Sequence, residues 1–189
     1  VAHKIGATLV HFSTDYVFDG DQSKIWSEED AVRPPTPNYY AQTKLWGERA
    51  VLDYPEHLAL RVQWLYGKKK DRFTILRDKP VFTPFADQFG APTWTREVSR
   101  VVLELLVRDA KGLFQMSYDD YASWLDVFGF VKEELGLSTQ LIPKKSEEVN
   151  LPARRPKFGV MSNKKLLKTL GWKSMGSWKE PLREFLSHA

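Results

Sequence analysis

The alternation of short apolar runs with helical segments is the feature that most constrains how this chain can fold. Apolar, β-branched runs predict buried strands at Thr8–Ser13 and Leu113–Met116, and another that begins with Leu58–Val62 and closes at Tyr66–Gly67. Between them, the sequence predicts helices from Thr36 to Asp53 and from Arg96 to Arg108. When strands alternate with helices, each helix carries the chain back across the sheet, so consecutive strands run parallel. The sequence therefore predicts an α/β fold with a parallel sheet.

The sequence also predicts where the first helix begins and which elements follow in the second half of the chain. In the first helix, Thr36 is the predicted N-cap and Pro37 lies in the first turn. The length of 189 residues suits one domain, or one domain with a small lobe. The remaining predicted elements are a strand at Val81–Phe85, a helix at Tyr121–Leu135, a last strand at Phe158–Met161, and short helices at Lys164–Leu170 and Trp178–Ser187.

Composition excludes several classes of protein. The absence of cysteine excludes a disulfide scaffold, a thiolate zinc site and a cysteine nucleophile. No apolar run is long enough to span a membrane, and a net charge of +4 is too small to indicate nucleic acid binding by itself. We therefore expect a cytoplasmic protein with no membrane or nucleic acid partner.

Positive charge is concentrated toward the end of the chain. The segment from Leu141 to Ala189 holds eleven lysines and arginines and four acidic residues. Such a segment suits a phosphorylated ligand, while a solvated basic surface is the alternative interpretation. The aromatic residues lack the basic interleaving that is typical of RNA-binding proteins.

Polar residues with chemical potential follow the first predicted strand. The run Ser13–Phe18 lies at its carboxyl end, where open parallel sheets bind ligands. Tyr40 and Lys44 come next, four residues apart on a predicted helix, so one turn puts both on the same face. An ammonium near a phenol lowers the phenol pKa from about 10 toward neutrality, which suits proton transfer. Alone, the pair also fits a surface tyrosine packed on a lysine stem.

In combination, five segments resemble the dTDP-4-dehydrorhamnose reductase family, a branch of the extended short-chain dehydrogenase/reductase superfamily. They occur in the family's order and cover most of the chain. The segments are Ser13–Gly20, Tyr40–Glu48, Leu60–Gly67, Asp87–Thr93, and Pro152–Pro156 together with Met161–Leu166.

The resemblance implies the C-terminal part of a Rossmann-like parallel sheet plus a small α/β substrate-binding lobe. Residues 1–67 would belong to the NAD(P)-binding domain and residues 68–189 mainly to the lobe, with about 95–118 returning to the sheet. The implied reaction is reduction of the 4-keto group of dTDP-6-deoxy-L-lyxo-4-hexulose to dTDP-L-rhamnose, with NADPH or NADH as the cofactor. This reaction belongs to the biosynthesis of cell-surface polysaccharides.

The resemblance also implies roles for individual residues. Tyr40 would protonate the carbonyl oxygen, and Lys44 would lower the pKa of Tyr40 and hold the nicotinamide ribose, so both would bind the cofactor. Thr14 would orient the carbonyl, with Asp15 beside it. The implied ligands of the nucleotide-sugar substrate are Trp64, Asp87, Gln88, Thr93, Arg154 and Arg155. The arginines would pair with the diphosphate, because a guanidinium fork matches phosphate oxygens. Trp64 also fits core packing, the Asp87–Thr93 segment also fits a turn, and Arg61 is interpreted as structural.

Two features depart from the family pattern. The segment between Gly67 and Asp87 is about one helical turn shorter than usual, and Lys68–Lys70 replaces its ordinary opening. The second departure is larger: the closest pair of glycines is Gly171 and Gly176, so no glycine-rich dinucleotide fingerprint exists. We therefore expect a C-terminal portion that lacks the cofactor turn: a fragment, a truncated gene product, or one half that needs a partner polypeptide carrying the missing N-terminal half.

No metal ligands are assigned, because the four histidines show no metal-binding spacing. The resemblance leaves a homodimer and a bound magnesium ion open. Two further functions remain alternatives at this point. One is a non-catalytic binding or regulatory module on the same fold, and the other is a nucleotide-sugar epimerase or dehydratase.

Overall fold

The computed structural model describes residues 1–21, 23–32, 35–69 and 71–188. The residues outside this description include Arg33, Pro34 and Lys70. Lys70 is the last residue of the Lys68–Lys70 segment that departs from the family pattern. The strands are β1 (Val10–Thr14), β2 (Leu58–Val62), β3 (Leu65–Tyr66), β4 (Val81–Phe82), β5 (Phe89–Gly90), β6 (Thr93–Trp94), β7 (Gly112–Gln115), β8 (Ala122–Ser123) and β9 (Gln140–Leu141). The α-helices are α1 (Tyr39–Leu52), α2 (Thr95–Val107), α3 (Trp124–Glu134), α4 (Lys164–Leu170) and α5 (Lys179–Leu186).

The central sheet is parallel and has the strand order β1-β2-β7. Val10 of β1 pairs with Leu58 of β2, and Leu58 in turn pairs with Gly112 of β7. Every residue of β2 is buried, as expected for a middle strand that is covered on both faces. The predicted α/β fold with a parallel sheet is confirmed. Among the described residues none pairs with the other edge of β1, where Leu9 and Phe12 are partly exposed.

Helix α1 begins later than predicted. Its N-cap is Asn38, whose side chain accepts a hydrogen bond from the backbone N–H of Ala41 at 2.9 Å. Thr36 instead donates its hydroxyl to the carbonyl of Asn38 at 3.1 Å, so the predicted N-cap was wrong. Both residue types cap helices well, and the extended backbone of Asn38 decides between them.

Three small two-stranded sheets form the rest of the structure. Strands β3 and β6 pair parallel, as do β4 and β9, whereas β5 and β8 pair antiparallel. The predicted strand Val81–Phe85 is shorter than expected, since only its first two residues form β4. A single core joins these sheets to the central one, because its buried members run from Leu58 and Phe114 to Leu182 and Phe185.

The predicted last strand at Phe158–Met161 does not form. The N–H of Phe158 donates to the carbonyl of Gly20, while that of Gly159 donates to Phe89. Further along, Trp26 donates to the carbonyl of Val160. Because the segment changes partner at almost every residue, it makes isolated bridges rather than a ladder. None of the described helices is long and apolar enough to cross a membrane.

Candidate active site

A cavity of about 690 Å³ opens at the carboxyl ends of β1 and β2. It is surrounded by the end of β1, the start of α1, the segment after β2, residues 71–75 and 82–85, helix α3, and single residues of two later loops. The lining residues are Ser13, Thr14, Asp15, Tyr16, Tyr40, Val62, Gln63, Trp64, Leu65, Asp71, Arg72, Ile75, Phe82, Thr83, Pro84, Phe85, Trp124, Phe128, Lys144 and Arg155. Parallel strands present their carboxyl ends at one edge, which explains why residues distant in sequence meet here.

Thr14 and Asp15 are buried at the end of β1. The Thr14 hydroxyl donates to Asp15 Oδ1 at 3.0 Å and accepts from the N–H of Tyr16 at 3.3 Å. Burial raises the pKa of Asp15 to about 7, and the Thr14 hydrogen bond opposes that shift only in part. A Cβ atom at Gly159 would lie 2.6 Å from Asp15 Oδ2, so the backbone there closes directly over the carboxyl.

Tyr40 and Lys44 lie one turn apart on α1. The Tyr40 ring is about half exposed and lines the cavity, where it meets the Tyr16 ring edge-on at a centroid distance of 5.9 Å. Lys44 Nζ donates to the carbonyl of Phe12 in β1 at 2.8 Å. The start of α1 is therefore fastened to β1 beside the buried Thr14.

Two tryptophans form a stacked pair in the cavity wall. The rings of Trp64 and Trp124 are 3.9 Å apart and inclined by 14°. Trp64 has a φ of 44°, an uncommon value for a bulky residue that is typical of strained functional sites. A Cβ atom at Gly90 would lie 2.7 Å from Gln63 Oε1 and 2.9 Å from Trp64 Cε2, so this tryptophan is confined on that side also.

The two arginines predicted to bind the substrate, Arg154 and Arg155, point to different parts of the structure. Arg155 lines the cavity. Arg154 points elsewhere, since its guanidinium forms an ion pair with Asp21, and its carbonyl accepts from Asn38 Nδ2 at 2.7 Å.

The structure does not bring Asp87, Gln88 and Thr93 to the cavity. The Asp87 carboxylate accepts from the N–H and hydroxyl of Ser146, and Gln88 Nε2 donates to the same hydroxyl at 3.0 Å. Thr93 is fully buried and donates to the carbonyl of Ala91. These contacts hold a loop and a turn, and the predicted role of the three residues in substrate binding stays a prediction.

Other cavity residues were missed by the sequence reasoning. Tyr16 lies inside the run Ser13–Phe18 that the sequence pointed to, so its position was foreseeable. Arg72 and Lys144 carry no local signal, because each is one of several basic residues in an exposed loop. Within the described part of the chain, no group of three histidine, aspartate or glutamate residues could hold a metal ion.

A parallel sheet with Thr14, Tyr40 and Lys44 at its carboxyl edge defines a Rossmann-like α/β protein. The chain belongs to the family described as the RmlD substrate binding domain, whose family model matches residues 1–189. The resemblance to dTDP-4-dehydrorhamnose reductases is thereby confirmed at the level of the family.

Named relatives agree with this assignment. The chain is 34% identical to the dTDP-4-dehydrorhamnose reductase of Escherichia coli, in a match that covers 87% of this chain and 60% of the relative. It is 31% identical to the spore coat polysaccharide biosynthesis protein SpsK of Bacillus subtilis, over 97% of this chain and 65% of that one. The chain thus spans less than two thirds of the length of these curated relatives.

Solved structures show the same fold. A dTDP-4-dehydrorhamnose reductase from Clostridium acetobutylicum matches with a TM-score of 0.91 at 32% identity, over 99% of this chain and 68% of that one. The enzyme from Bacillus anthracis, solved in complex with NADP, matches with a TM-score of 0.91 at 27% identity, over 100% of this chain and 68% of that one.

Proposed function

We propose that this chain carries the catalytic and substrate-binding residues of an NAD(P)H-dependent reductase of keto-sugar nucleotides. The substrate is dTDP-6-deoxy-L-lyxo-4-hexulose, and the product is dTDP-L-rhamnose. The observation that carries the proposal is the meeting of Thr14, Tyr40 and Trp64 in one cavity, with Lys44 one turn behind Tyr40. The names of the relatives support the same reaction class.

Tyr40 is the proton donor in this proposal. Reduction adds a hydride to the carbonyl carbon and a proton to the carbonyl oxygen, so a C=O group becomes a CH–OH group. The Tyr40 hydroxyl lies at the cavity wall, half exposed, where it can reach a bound carbonyl oxygen. The proton is replaced from solvent after each turnover.

Thr14 and Asp15 orient the substrate. The Thr14 hydroxyl lines the cavity beside Tyr40, and its one proton, which it donates to Asp15 in the structure, would instead be donated to a bound carbonyl oxygen. The Asp15 carboxyl accepts the hydrogen bond of the Thr14 hydroxyl and thereby fixes the Thr14 side chain. Trp64, which lines the cavity and is held in its stack on Trp124, contacts the sugar ring, and Arg155 pairs with the diphosphate.

The residues present fit the nicotinamide end of the cofactor. Tyr40 supplies a hydroxyl, and Lys44 supplies a partly exposed ammonium beside the open edge of β1, which are donors suited to ribose hydroxyls. The reduced nicotinamide supplies the hydride when bound. The eleven glycines form no dinucleotide fingerprint, so the pyrophosphate is held by a glycine-rich segment outside these 189 residues, in the same polypeptide or in a partner.

The test uses the intact protein that contains these residues, the keto-sugar nucleotide and NADPH or NADH. The proposal predicts that one reduced nicotinamide is oxidised per sugar converted, followed by absorbance, with dTDP-L-rhamnose identified by mass and NMR. Conversion of the sugar without net oxidation of the cofactor would contradict the proposal and favour an epimerase or dehydratase. Substrate binding without any conversion would favour a non-catalytic module.

A further inference from the structure

Basic residues around the cavity fall into two groups. Those outside it are neutralised, since Arg154 forms an ion pair with Asp21, and Lys157 lies 3.5 Å from Asp87. The three that line it, Arg72, Lys144 and Arg155, form no ion pair with any carboxylate of the described chain.

The carboxylates that line the same cavity are engaged elsewhere. Asp71 accepts from the N–H of Phe73 at 2.8 Å and from the Thr74 hydroxyl at 2.6 Å, which closes the turn that leads into the next short helix. Asp15 is held by Thr14 under the backbone of Gly159. Three basic side chains against two carboxyl groups give the cavity lining an excess of positive charge, which favours an anionic ligand.

Arg72 is held in position at the cavity rim. The next residue, Phe73, is fully buried in the core, and the Asp71 turn fixes the backbone on the other side. The Arg72 guanidinium lies over the Trp124 ring, 5.6 Å from its centroid, and this ring stacks on Trp64. A guanidinium that rests on an aromatic face keeps the N–H donors that point away from the ring free for a ligand.

Tyr16 lines the same cavity as both arginines. Burial is the largest effect and raises the pKa of the Tyr16 phenol, and the charge of Asp15 raises it further. The positive charges of Arg155 and Arg72 both lower this pKa. The Tyr16 ring meets Tyr40 edge-on, so this group of residues adjoins the proposed proton donor.

We propose that Arg72 is a specificity-determining residue that, together with Arg155, binds an anionic group of the substrate next to the hydroxyl of Tyr16. This inference rests on the proposed function, because it assumes that the cavity receives a sugar nucleotide. The anionic group is the phosphate linked to the sugar, because the proposed 6-deoxy substrate carries no carboxylate. A sugar carboxylate, whose oxygens also match a guanidinium fork, is the outcome that would overturn this assignment.

The test measures dissociation constants by calorimetry for the intact protein that contains these residues. The probes are dTDP, dTDP-glucose and dTDP-glucuronic acid, and the variants are Arg72→Gln and Arg155→Gln. Loss of one charge-assisted hydrogen bond predicts about a tenfold weaker affinity in each variant. If the phosphate is bound, both sugar nucleotides lose affinity equally; if a carboxylate is bound, only dTDP-glucuronic acid does.

Arg100→Gln is the matched control, because Arg100 also lies over a tryptophan ring, 4.4 Å from the Trp172 centroid, but does not line the cavity. It should change no affinity, and circular dichroism should show that all variants are folded. If Arg72→Gln binds the probes with affinities within about twofold of the control, the role of Arg72 is overturned and the proposed function is not affected. Failure of the unsubstituted chain to bind any probe would overturn it together with the proposed function.

Discussion

Lys44 Nζ donates a hydrogen bond to the backbone carbonyl of Phe12 at 2.8 Å, and this contact ties helix α1 to strand β1. The carbonyl belongs to the strand that ends in Thr14, and the lysine lies one helical turn after Tyr40. The contact therefore fixes the spacing between the two residues proposed to act on the carbonyl. It also keeps the ammonium charge beside the open edge of the sheet.

Replacement of this lysine tests whether its charge and its tether both matter. Lys44→Met should lower kcat/KM for the keto-sugar nucleotide by about a hundredfold, since a positioning contact and a cofactor ligand are lost together. Lys44→Arg should retain part of the activity because it keeps the charge. Arg49→Met, on an exposed part of the same helix, should leave kcat/KM unchanged. Equal activity of Lys44→Met and the unsubstituted protein would contradict this role.

The buried carboxyl of Asp15 should make stability depend on pH. Its folded-state pKa of about 7 is above the ordinary 3.8, so the native state binds the proton more tightly than the unfolded state. The resulting stabilisation is complete below about pH 4 and is lost as the pH rises to about 7. We compare the free energy of unfolding of Asp15→Asn with that of the unsubstituted chain. The difference, variant minus unsubstituted, should increase by roughly 3 kcal/mol between acidic and mildly alkaline buffer.

Urea unfolding at about pH 4 and about pH 8 measures this difference. Asp78→Asn, at an exposed position, is the control and should show the same offset from the unsubstituted chain at both pH values. An Asp15→Asn offset that does not change with pH would show that the carboxyl titrates alike in both states.

Two glycines offer a matched pair of substitutions. A Cβ at Gly90 would meet Gln63 and Trp64, so Gly90→Ala should cost about 1–3 kcal/mol and should displace Trp64 from its stack on Trp124. Gly129 lies inside α3 with nothing within 4 Å of a Cβ, so Gly129→Ala should stabilise by up to about 1 kcal/mol. Thermal unfolding and near-ultraviolet circular dichroism report both effects. A tryptophan signal unchanged in Gly90→Ala would contradict the proposed confinement.

The buried ion pair of Arg61 and Glu48 should behave as structural. Two short hydrogen bonds join the side chains, 2.9 Å from Nε and 2.6 Å from Nη2, and both residues are almost fully buried. Arg61→Met should lower the free energy of unfolding by about 3–5 kcal/mol, because it leaves a buried, unpaired carboxylate. The double variant Arg61→Met with Glu48→Leu should recover most of that loss. A double variant no more stable than the single one would contradict this explanation.

Much of the fold could be predicted from the sequence. The apolar stripe of α2 placed that helix at 96–108, and the structure has it at Thr95–Val107. The strand that begins at Leu58 was predicted correctly at its start, because a middle strand shows its burial directly in its composition, but it was predicted to close at Tyr66–Gly67. The structure ends β2 at Val62 and forms Leu65–Tyr66 as the separate strand β3. The start of α1 was wrong, since Thr36 and Asn38 are both good caps, and it is the side chain of Asn38, on an extended backbone, that accepts from the N–H of Ala41.

The site could be predicted only where the chemistry is local. Tyr40 and Lys44 share a helix, and Thr14 ends a strand, so their spacing and the edge rule bring them together. Asp87 and Gln88 face Ser146, whose position depends on how distant loops pack. Arg72 enters the cavity because Phe73 is buried, which no pattern of basic residues reveals.

The Tyr40→Phe variant tests the central claim most directly. With the intact protein, the keto-sugar nucleotide and NADPH, kcat should fall by about a hundredfold or more, because the carbonyl oxygen loses its proton donor. Tyr39→Phe is the matched control, since Tyr39 is the neighbouring residue, is three-quarters exposed and does not line the cavity. It should keep kcat within about twofold. A Tyr40→Phe variant that turns over as fast as the Tyr39→Phe control would contradict the account.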